Sequence, residues 1–310
     1  MEEERVPIPT VLRTIGASSR RLAMVDLKGL SSLGAADRAE FWPLWQKIAD
    51  ARRAEIAHAT VELSEDNVDL DFAELWYWLL EDDSAPVRVN AVEGLWEDTS
   101  MRVLRRMLGL LRQDPSEEVR AAAAVGLGHY AYTAALGELD SDELAEALAE
   151  DLLAAVRDER EPLEVRRRAL ESAGYFSDSD AIQQQIERAF RSDEQLLRES
   201  ALVAMGRSML ERWLPTIAGQ LESPSPALRY EAARAAGEMA DTARSLLGKL
   251  LPLLNDSDTE VALAAIWAMG QIGGERAKRA LQQVRKSGDP ARSQAAEEAL
   301  EELTLGDSPV

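Results

Sequence analysis

Residues 114–130 read DPSEEVRAAAAVGLGHY, and this stretch sets the pattern for most of the chain. A loop with a proline leads into the pair Val119-Arg120, and an alanine-rich helix follows that we expect to stop at Gly128. When the chain is aligned on Arg120, successive anchor positions are separated by 32, 46, 32, 31, 33 and 30 residues. The other anchor positions are Arg88, Arg166, Arg198, Arg229, Ala262 and Arg292. A period of roughly 20 to 50 residues is typical of a solenoid of stacked repeats.

The repeats also agree around each anchor. An aliphatic residue precedes it, alanine follows it by three residues, and glycine follows it by eight residues in five of the seven repeats. The alanines are Ala91, Ala123, Ala169, Ala201, Ala232, Ala265 and Ala295, and the glycines are Gly128, Gly174, Gly206, Gly237 and Gly270. We expect the alanines to let neighbouring helices approach closely, and the glycines to end helices in the left-handed conformation. Each repeat is then a pair of helices that must stack to bury its apolar face.

Strings such as DEQLLRESALVAMG at 193–206 resemble the HEAT-repeat family, and more narrowly the short HEAT-like repeats of phycobilisome lyases. The resemblance covers about residues 83–300. It implies an all-α, right-handed solenoid, a HEAT-like superhelix of about seven helical repeats. The pattern predicts an N-terminal cap with one divergent repeat at 1–82, with Ile56 at its anchor position, then the solenoid at 83–303 and a frayed tail at 304–310.

The HEAT resemblance also implies a structural ladder, in which the anchor arginine and a preceding aspartate join neighbouring repeats. The expected arginines are Arg88, Arg120, Arg166, Arg198 and Arg229. Asp83, Asp114 and Asp193 stand in suitable places before their arginines, whereas the fifth repeat offers only Ser223 and Ser225. We expect the ladder to stabilise the stack and to have no catalytic role.

The formal net charge of −21 is concentrated in two blocks. Residues 54–87 contain ten acidic residues and no basic one, and residues 138–164 contain eleven acidic and two basic residues. Nucleic-acid binding needs clustered lysine and arginine, so we predict no nucleic-acid partner. The blocks are either solvated faces or docking surfaces for a protein partner with a basic surface.

Other sequence features bear on location. The chain has no cysteine, which excludes disulfides and thiolate metal sites. The start MEEERVPIPT does not resemble a signal peptide, and no apolar run is long enough to cross a membrane. We predict a cytoplasmic protein without a membrane partner.

The sequence offers little for catalysis. His58 and His129 are the two histidines, and the chain lacks the paired His-Glu dipeptides that the related deoxyhypusine hydroxylases need for iron. We therefore predict no catalytic residue, no metal site and no cofactor, and favour a non-enzymatic protein-interaction scaffold or adaptor. The alternative is a lyase-like or chaperone-like subunit that binds a bilin or another small aromatic molecule. Five of the seven tryptophans lie in 42–96, which is typical either of an aromatic pocket or of end packing.

The step of 46 residues marks an insertion after Gly128. It predicts a loop at 129–140 and a long helix from Ser141 to about Asp158. Insertions in repeat proteins often carry binding, although a linker without a role has the same pattern. The candidate partner-binding residues are Tyr130, Tyr132, Glu138, Asp140, Glu143, Glu146 and Glu150.

Overall fold

The structure is a computed structural model that describes residues 6–18 and 20–306, and over these residues it is helical and contains no strand. Nine helices begin in the first half: α1 Ile8–Ile15, α2 Met24–Leu27, α3 Arg38–Trp45, α4 Asp50–Asp66, α5 Ala73–Leu79, α6 Ala85–Gly94, α7 Met101–Gln113, α8 Glu117–Ala135 and α9 Asp142–Arg157. Nine follow: α10 Leu163–Ala173, α11 Asp180–Phe190, α12 Gln195–Ser208, α13 Leu214–Gln220, α14 Pro226–Glu238, α15 Leu247–Leu253, α16 Thr259–Ile272, α17 Gly274–Val284 and α18 Pro290–Gly306.

The chain forms two compact units, Met1–Asp151 and Leu152–Val310, and the boundary falls within α9. In the first unit, the anchor helices α4, α6 and α8 pack side by side, and α5 and α7 pack beside them. In the second unit, α10, α12, α14, α16 and α18 form the same layer, with α11, α13, α15 and α17 between them along the chain. The predicted all-α solenoid is therefore confirmed. The boundaries at 82 and 303 stay predictions, and residues 307–310 of the predicted tail lie outside the described residues.

Short polar side chains set the start of several anchor helices. The Ser116 hydroxyl accepts a hydrogen bond from the backbone N–H of Val119 at 3.4 Å, and the Asp258 carboxylate accepts one from Val261 at 3.2 Å. These caps satisfy N–H groups that have no partner within the helix. Each cap also places the aliphatic residue before the anchor toward the interior, where Val119 and Val261 are buried.

The alanine column forms the contact between anchor helices. Six of its seven members are fully buried, from Ala91 to Ala265, but Ala295 is partly exposed. In α18, Ala296 and Ala299 are buried instead. The last repeat therefore lies one residue later than predicted, and Ser293 takes the anchor position.

The glycine column has a different role from the predicted one. Gly174 has a φ of −53°, and Gly206 lies within α12, so neither is a left-handed helix stop. A Cβ atom added at Gly206 would lie 2.8 Å from the Cα atom of Ala235 in the next anchor helix. Gly174 faces Ala204 at the same distance, so at these two positions glycine is needed because neighbouring backbones touch there. The left-handed residue that ends α12 is Met209, with a φ of 53°.

Tryptophans pack the N-terminal repeats. Trp45, Trp76 and Trp78 are buried, and the Trp45 indole N–H donates to the Asp82 carboxylate at 2.6 Å. Trp45 also stacks on Phe41, with ring centroids 5.3 Å apart. Packing explains these three residues, whereas the Trp96 side chain is 60% exposed.

Candidate functional site

The arginine ladder contains two rungs in which an arginine binds a carboxylate bidentately. Arg88 donates from Nε and Nη2 to Asp114 at 2.8 and 2.7 Å, and both side chains are buried. Arg229 donates in the same way to Asp256, at 2.8 Å from each nitrogen. Such charge-assisted pairs are strong and geometrically specific. Each rung joins an anchor helix to the loop that precedes the next repeat.

The aspartate of a rung lies six residues before the anchor position, which differs from the sequence prediction. Asp114 fits this rule, whereas Asp193 lies one residue late, and its backbone carbonyl accepts a bond from Arg198 at 3.2 Å. Asp256 was missed because Ala262 occupies its anchor position. The Arg292 guanidinium reaches that loop instead and donates to the carbonyl of Asp256 at 2.8 Å. A fixed distance from anchor to aspartate is the signal that could have identified Asp256.

The other ladder arginines bind backbone carbonyls. Arg120 donates to the carbonyl of Asp114 at 2.7 Å, Arg198 to that of Ser192 at 2.9 Å, and Arg166 to that of Val156 at 3.4 Å. These bonds hold each anchor helix against a loop. A stabilising role without catalysis stays a prediction for the ladder residues.

The ladder extends into the divergent first repeat through Arg53. The spacing had predicted Ile56 as the anchor position, and Arg53 lies three residues before it. Arg53 is buried and lies 3.4 Å from Asp82 and 2.5 Å from Asp83. Burial raises the pKa of Asp82, while the Arg53 guanidinium lowers the pKa of Asp83. The divergent repeat is therefore tied to the next one by the same chemistry as the regular repeats.

The insertion is mostly helix rather than the predicted loop. Helix α8 continues to Ala135, because residues 129–135 contain neither glycine nor proline and include three alanines. The chain turns at Gly137, which has a φ of 72°. The Ser141 hydroxyl then accepts a bond from the N–H of Leu144 at 3.3 Å and starts α9. The connection that separates the two helices is only six residues long, 136–141.

The two predicted tyrosines differ in access. Tyr130 is only 1% exposed, and its hydroxyl lies 3.4 Å from both the Asp98 carboxylate and the Ser100 carbonyl. Burial, and then the neighbouring Asp98 charge, raise the pKa of Tyr130. Because Tyr130 is an interior residue, it is not accessible to a partner. Tyr132 is 48% exposed and stays a candidate.

The predicted acidic residues all lie on the surface: Glu138, Asp140, Glu143, Glu146 and Glu150. The last three are spaced by three and four residues, so they share one side of α9, named here the α9 acidic face. Leu148 of the same helix is buried, and Asp151 pairs with Arg112 at 2.6 Å. Within the described part of the chain, the three carboxylates of the α9 acidic face make no hydrogen bond or ion pair.

A second acidic surface belongs to the first unit. A groove of about 570 Å³ lies between segments 64–73 and 94–98, and is named here the Trp96 groove. Its floor includes the buried side chains of Phe72, Trp76 and Leu95, and Val68 and Trp96 line it as strongly exposed apolar residues.

The second unit carries a charged cluster across α10, α12 and α14 that is largely self-paired. Glu171 is buried and accepts bonds from Ser200 at 2.6 Å, Arg167 at 3.2 Å and Arg168 at 3.1 Å. Glu231 lies on α14 and is partly buried. Its pKa is raised to about 7 by burial and then by the carboxylates of Glu171 and Glu199.

The two histidines have different surroundings. His58 lies on the surface, with Nδ1 3.2 Å from the Asn90 side chain, and His129 packs beside Tyr130. Residues 6–18 and 20–306 contain no group of three potential metal ligands. The same residues include no helix with the length and hydropathy of a membrane span.

The chain was compared with known protein sequences and solved structures. No curated protein sequence matches it. Among solved structures it is similar to a mutant of Kap121p, at 15% identity and a TM-score of 0.51, over 98% of this chain and 40% of that one. It is also similar to the CpcE–CpcF complex of phycocyanin lyase from Nostoc sp. PCC7120, at 16% identity and a TM-score of 0.49, over 74% and 94% of the two chains. Human deoxyhypusine hydroxylase matches at 15% identity and a TM-score of 0.36, over 96% and 97%.

These likenesses show the fold alone, because all three identities are low. The family is shown by a sequence model instead. The model for HEAT repeats matches residues 73–161 and 214–301, which is more than half of the 310 residues. The chain belongs to the HEAT-repeat family.

Proposed function

We propose that this chain is a non-enzymatic interaction scaffold that docks a basic protein partner on the α9 acidic face. The observation that carries the proposal is the state of Glu143, Glu146 and Glu150. They are exposed, they share one side of a helix, and no described residue neutralises them. They lie in the block 138–164, which has eleven acidic and two basic residues. Clustered charge of one sign attracts an oppositely charged partner and speeds its association.

Apolar side chains near the turn before α9 supply the second element of an interface. Tyr132 and Leu136 are four residues apart at the end of α8, and their side chains are 48% and 52% exposed. Aromatic residues bury a large area at interfaces and keep a polar tip in water. Repeat solenoids also present extended surfaces of the kind that bind proteins. The two features together favour a protein partner over a small molecule.

Affinity capture from the native organism, read by mass spectrometry, tests the proposal. The variant E143K/E146K/E150K reverses the charge of the α9 acidic face, and E260K/E297K/E301K makes the same change in net charge at exposed positions of the second unit. We expect the parent and the second variant to capture the same proteins, and the first variant to lose them at about 150 mM salt.

Deletion of 129–140 is a poor alternative, because it would remove the buried Tyr130 and unfold part of the first unit. Circular dichroism should show that both charge variants keep the helicity of the parent. If E143K/E146K/E150K captures the same partners as the parent at the same salt concentration, the α9 acidic face is not the docking site.

A further inference from the structure

Trp96 differs from the other tryptophans of the first unit. The indole N–H groups of Trp45, Trp76 and Trp78 donate to Asp82, Thr60 and Glu74. Trp96 has a 60% exposed side chain and, within the described part of the chain, neither a side-chain hydrogen bond nor a ring contact. Leaving an indole in water forgoes burial of a large apolar area. An exposed tryptophan in a groove therefore marks a surface that a ligand can cover.

Close packing and local hydrogen bonds shape the groove beneath Trp96. A Cβ atom at Gly94 would lie 2.4 Å from the Trp76 ring, so Trp76 lies directly against the end of α6. The carboxylate of Asp98 accepts a bond from the N–H of Ser100 at 2.7 Å, and Asp71 accepts one from the N–H of Ala73 at 2.9 Å. These bonds fix the local turn at the end of each loop.

The charge of the Trp96 groove has one sign. Glu65, Asp71, Glu97 and Asp98 line it, and among the described lining residues there is no lysine or arginine. Glu65 and Glu97 make no hydrogen bond or ion pair within the part of the chain that the structure describes. Arg102 is near Asp98, but its guanidinium is held by Glu74 at 2.7 Å. The groove thus combines an apolar wall with two carboxylates that lack a counter-charge.

The chain itself shows which side chain such an arrangement accepts. Five rings elsewhere in the described residues are each covered by an arginine of the same chain: Arg38 over Trp42, Arg102 over Tyr77, Arg207 over Tyr175, Arg212 over Trp213 and Arg234 over Trp267. The last pair has a distance of 4.4 Å from the guanidinium carbon to the ring centroid, and Arg234 lies 3.6 Å from Glu238. Trp96 has the ring and the carboxylates of such a pair but lacks the arginine.

We propose that the Trp96 groove binds an arginine side chain from an extended segment of a protein partner. The guanidinium stacks on the Trp96 ring and pairs with Glu65 and Glu97, and its aliphatic stem lies against Val68. A cation over an indole ring is attracted by the ring quadrupole, and arginine is suited to stacking because it is planar and weakly hydrated. This proposal rests on the scaffold role proposed above, but not on the α9 acidic face.

The probe is a fluorescein-labelled peptide with the sequence GSRLRSG, compared with a peptide in which citrulline replaces both arginines. Citrulline keeps the planar shape and removes the charge. Fluorescence anisotropy follows binding at about 50 mM salt, where screening is weak. We expect the parent to bind the arginine peptide and not the citrulline peptide. Trp96→Ala should weaken binding about tenfold, Trp96→Phe less, and E65Q/E97Q should weaken it and reduce its salt dependence.

Three controls keep the result specific to the groove. E260K/E297K/E301K should bind the arginine peptide with nearly the same affinity as the parent. Thermal unfolding should show that Trp96→Ala folds, since its side chain is exposed. With ¹⁵N-labelled indoles, the Trp96 N–H resonance, identified by its absence in Trp96→Phe, should move during the titration.

Two outcomes overturn the inference outright: equal binding of the two peptides, or no binding of the arginine peptide at millimolar protein. A third outcome separates the two proposals. If Trp96→Ala binds like the parent and E143K/E146K/E150K loses the peptide, the arginine site lies on the α9 acidic face and not in the groove. If the groove variants lose the peptide but E143K/E146K/E150K still captures the cellular partners, the groove inference stands and the α9 proposal fails.

Discussion

Two regions of the molecule join neighbouring anchor helices by different means. Between α6 and α8, the contact includes the ion pair of Arg88 and Asp114, whose side chains are only 9% and 4% exposed. Between α12 and α14, the backbones meet at Gly206 and Ala235, and the hydrogen bonds of Arg198 go to loop carbonyls. The first region depends on a buried pair of charges, and the second on the absence of a side chain. The same repeat period therefore builds two contacts that should respond differently to mutation.

The largest expected effect is in the first region. Asp114→Ala leaves the Arg88 guanidinium buried without its carboxylate and removes the acceptor for the N–H of Ser116. Breaking a buried ion pair on one side typically costs roughly 3–5 kcal/mol. We expect the urea midpoint to fall by an amount that corresponds to this loss, with an unchanged denaturant slope.

Arg198→Met is the matched change in the second region. It removes bonds to the carbonyls of Ser192 and Asp193, and no buried charge is left behind. We expect a loss of only about 1 kcal/mol. Equal losses in Asp114→Ala and Arg198→Met would mean that the carboxylate adds nothing to the first region.

The close backbone contact of the second region should give a smaller loss of stability than Asp114→Ala. In Gly206→Ala, the new methyl group would lie 2.8 Å from the Cα atom of Ala235, so the helices must separate. Overpacking of this kind costs roughly 1–3 kcal/mol, partly offset by the better helix propensity of alanine. Chemical denaturation should show a lower free energy of unfolding than that of the parent.

Gly109→Ala is the control, because Gly109 lies within α7 and has no atom within 4 Å of its added Cβ position. It should stabilise the protein by up to about 1 kcal/mol through helix propensity alone. Stabilisation by both substitutions would show that the glycine column does not mark a close contact.

The regular repeats were predictable because their period is encoded in small and aliphatic residues that the stack must bury. The predictions went wrong where one residue type serves several physical roles. Glycine ends helices in the left-handed conformation, but Gly206 is required by a neighbouring backbone that no local pattern reveals. Residues 129–135 followed a glycine and read as a loop, yet their helix propensity prevailed. Tyr130 looked like a surface anchor because its partner Asp98 lies 32 residues away in sequence.

The candidate surfaces show the same division. Glu143, Glu146 and Glu150 were predicted as candidates from charge and spacing, because a run of acidic residues at helical spacing is a local property of the sequence. Their lack of an ion pair is not a local property, since Asp151 of the same helix pairs with the distant Arg112. The Trp96 groove was not identified, although five tryptophans in 42–96 pointed to that part of the chain. Whether a tryptophan is packed or exposed depends on contacts between α4, α5 and α6, and these follow only from the folded arrangement.

The last expected effect concerns the partly buried charges of the second region and depends on pH. The carboxyl of Glu231 has a pKa raised from 4.5 to about 7, so the folded state holds this proton more tightly than the unfolded state. Stability contributed by the protonated carboxyl is present below pH 4.5, declines as the pH rises, and is lost above about pH 7. The groups around it are Glu171 and Arg167 on α10, Glu199 on α12, and Arg234 on its own helix.

Glu231→Gln should therefore raise the urea midpoint at pH 8, where the parent holds a partly buried charge beside like charges, and leave it nearly unchanged at pH 4. Glu260→Gln, at an exposed position, is the control and should follow the parent at every pH. The measurement is a series of urea titrations between pH 4 and pH 8 for the three proteins. Parallel curves for the parent and Glu231→Gln would show that the carboxylates of α10, α12 and α14 do not repel one another. A difference in urea midpoint between the parent and Glu231→Gln that appears only as the pH rises from 4.5 toward 7 would show that like charges repel one another in the second region. The contact of the first region, in contrast, is an ion pair of opposite charges.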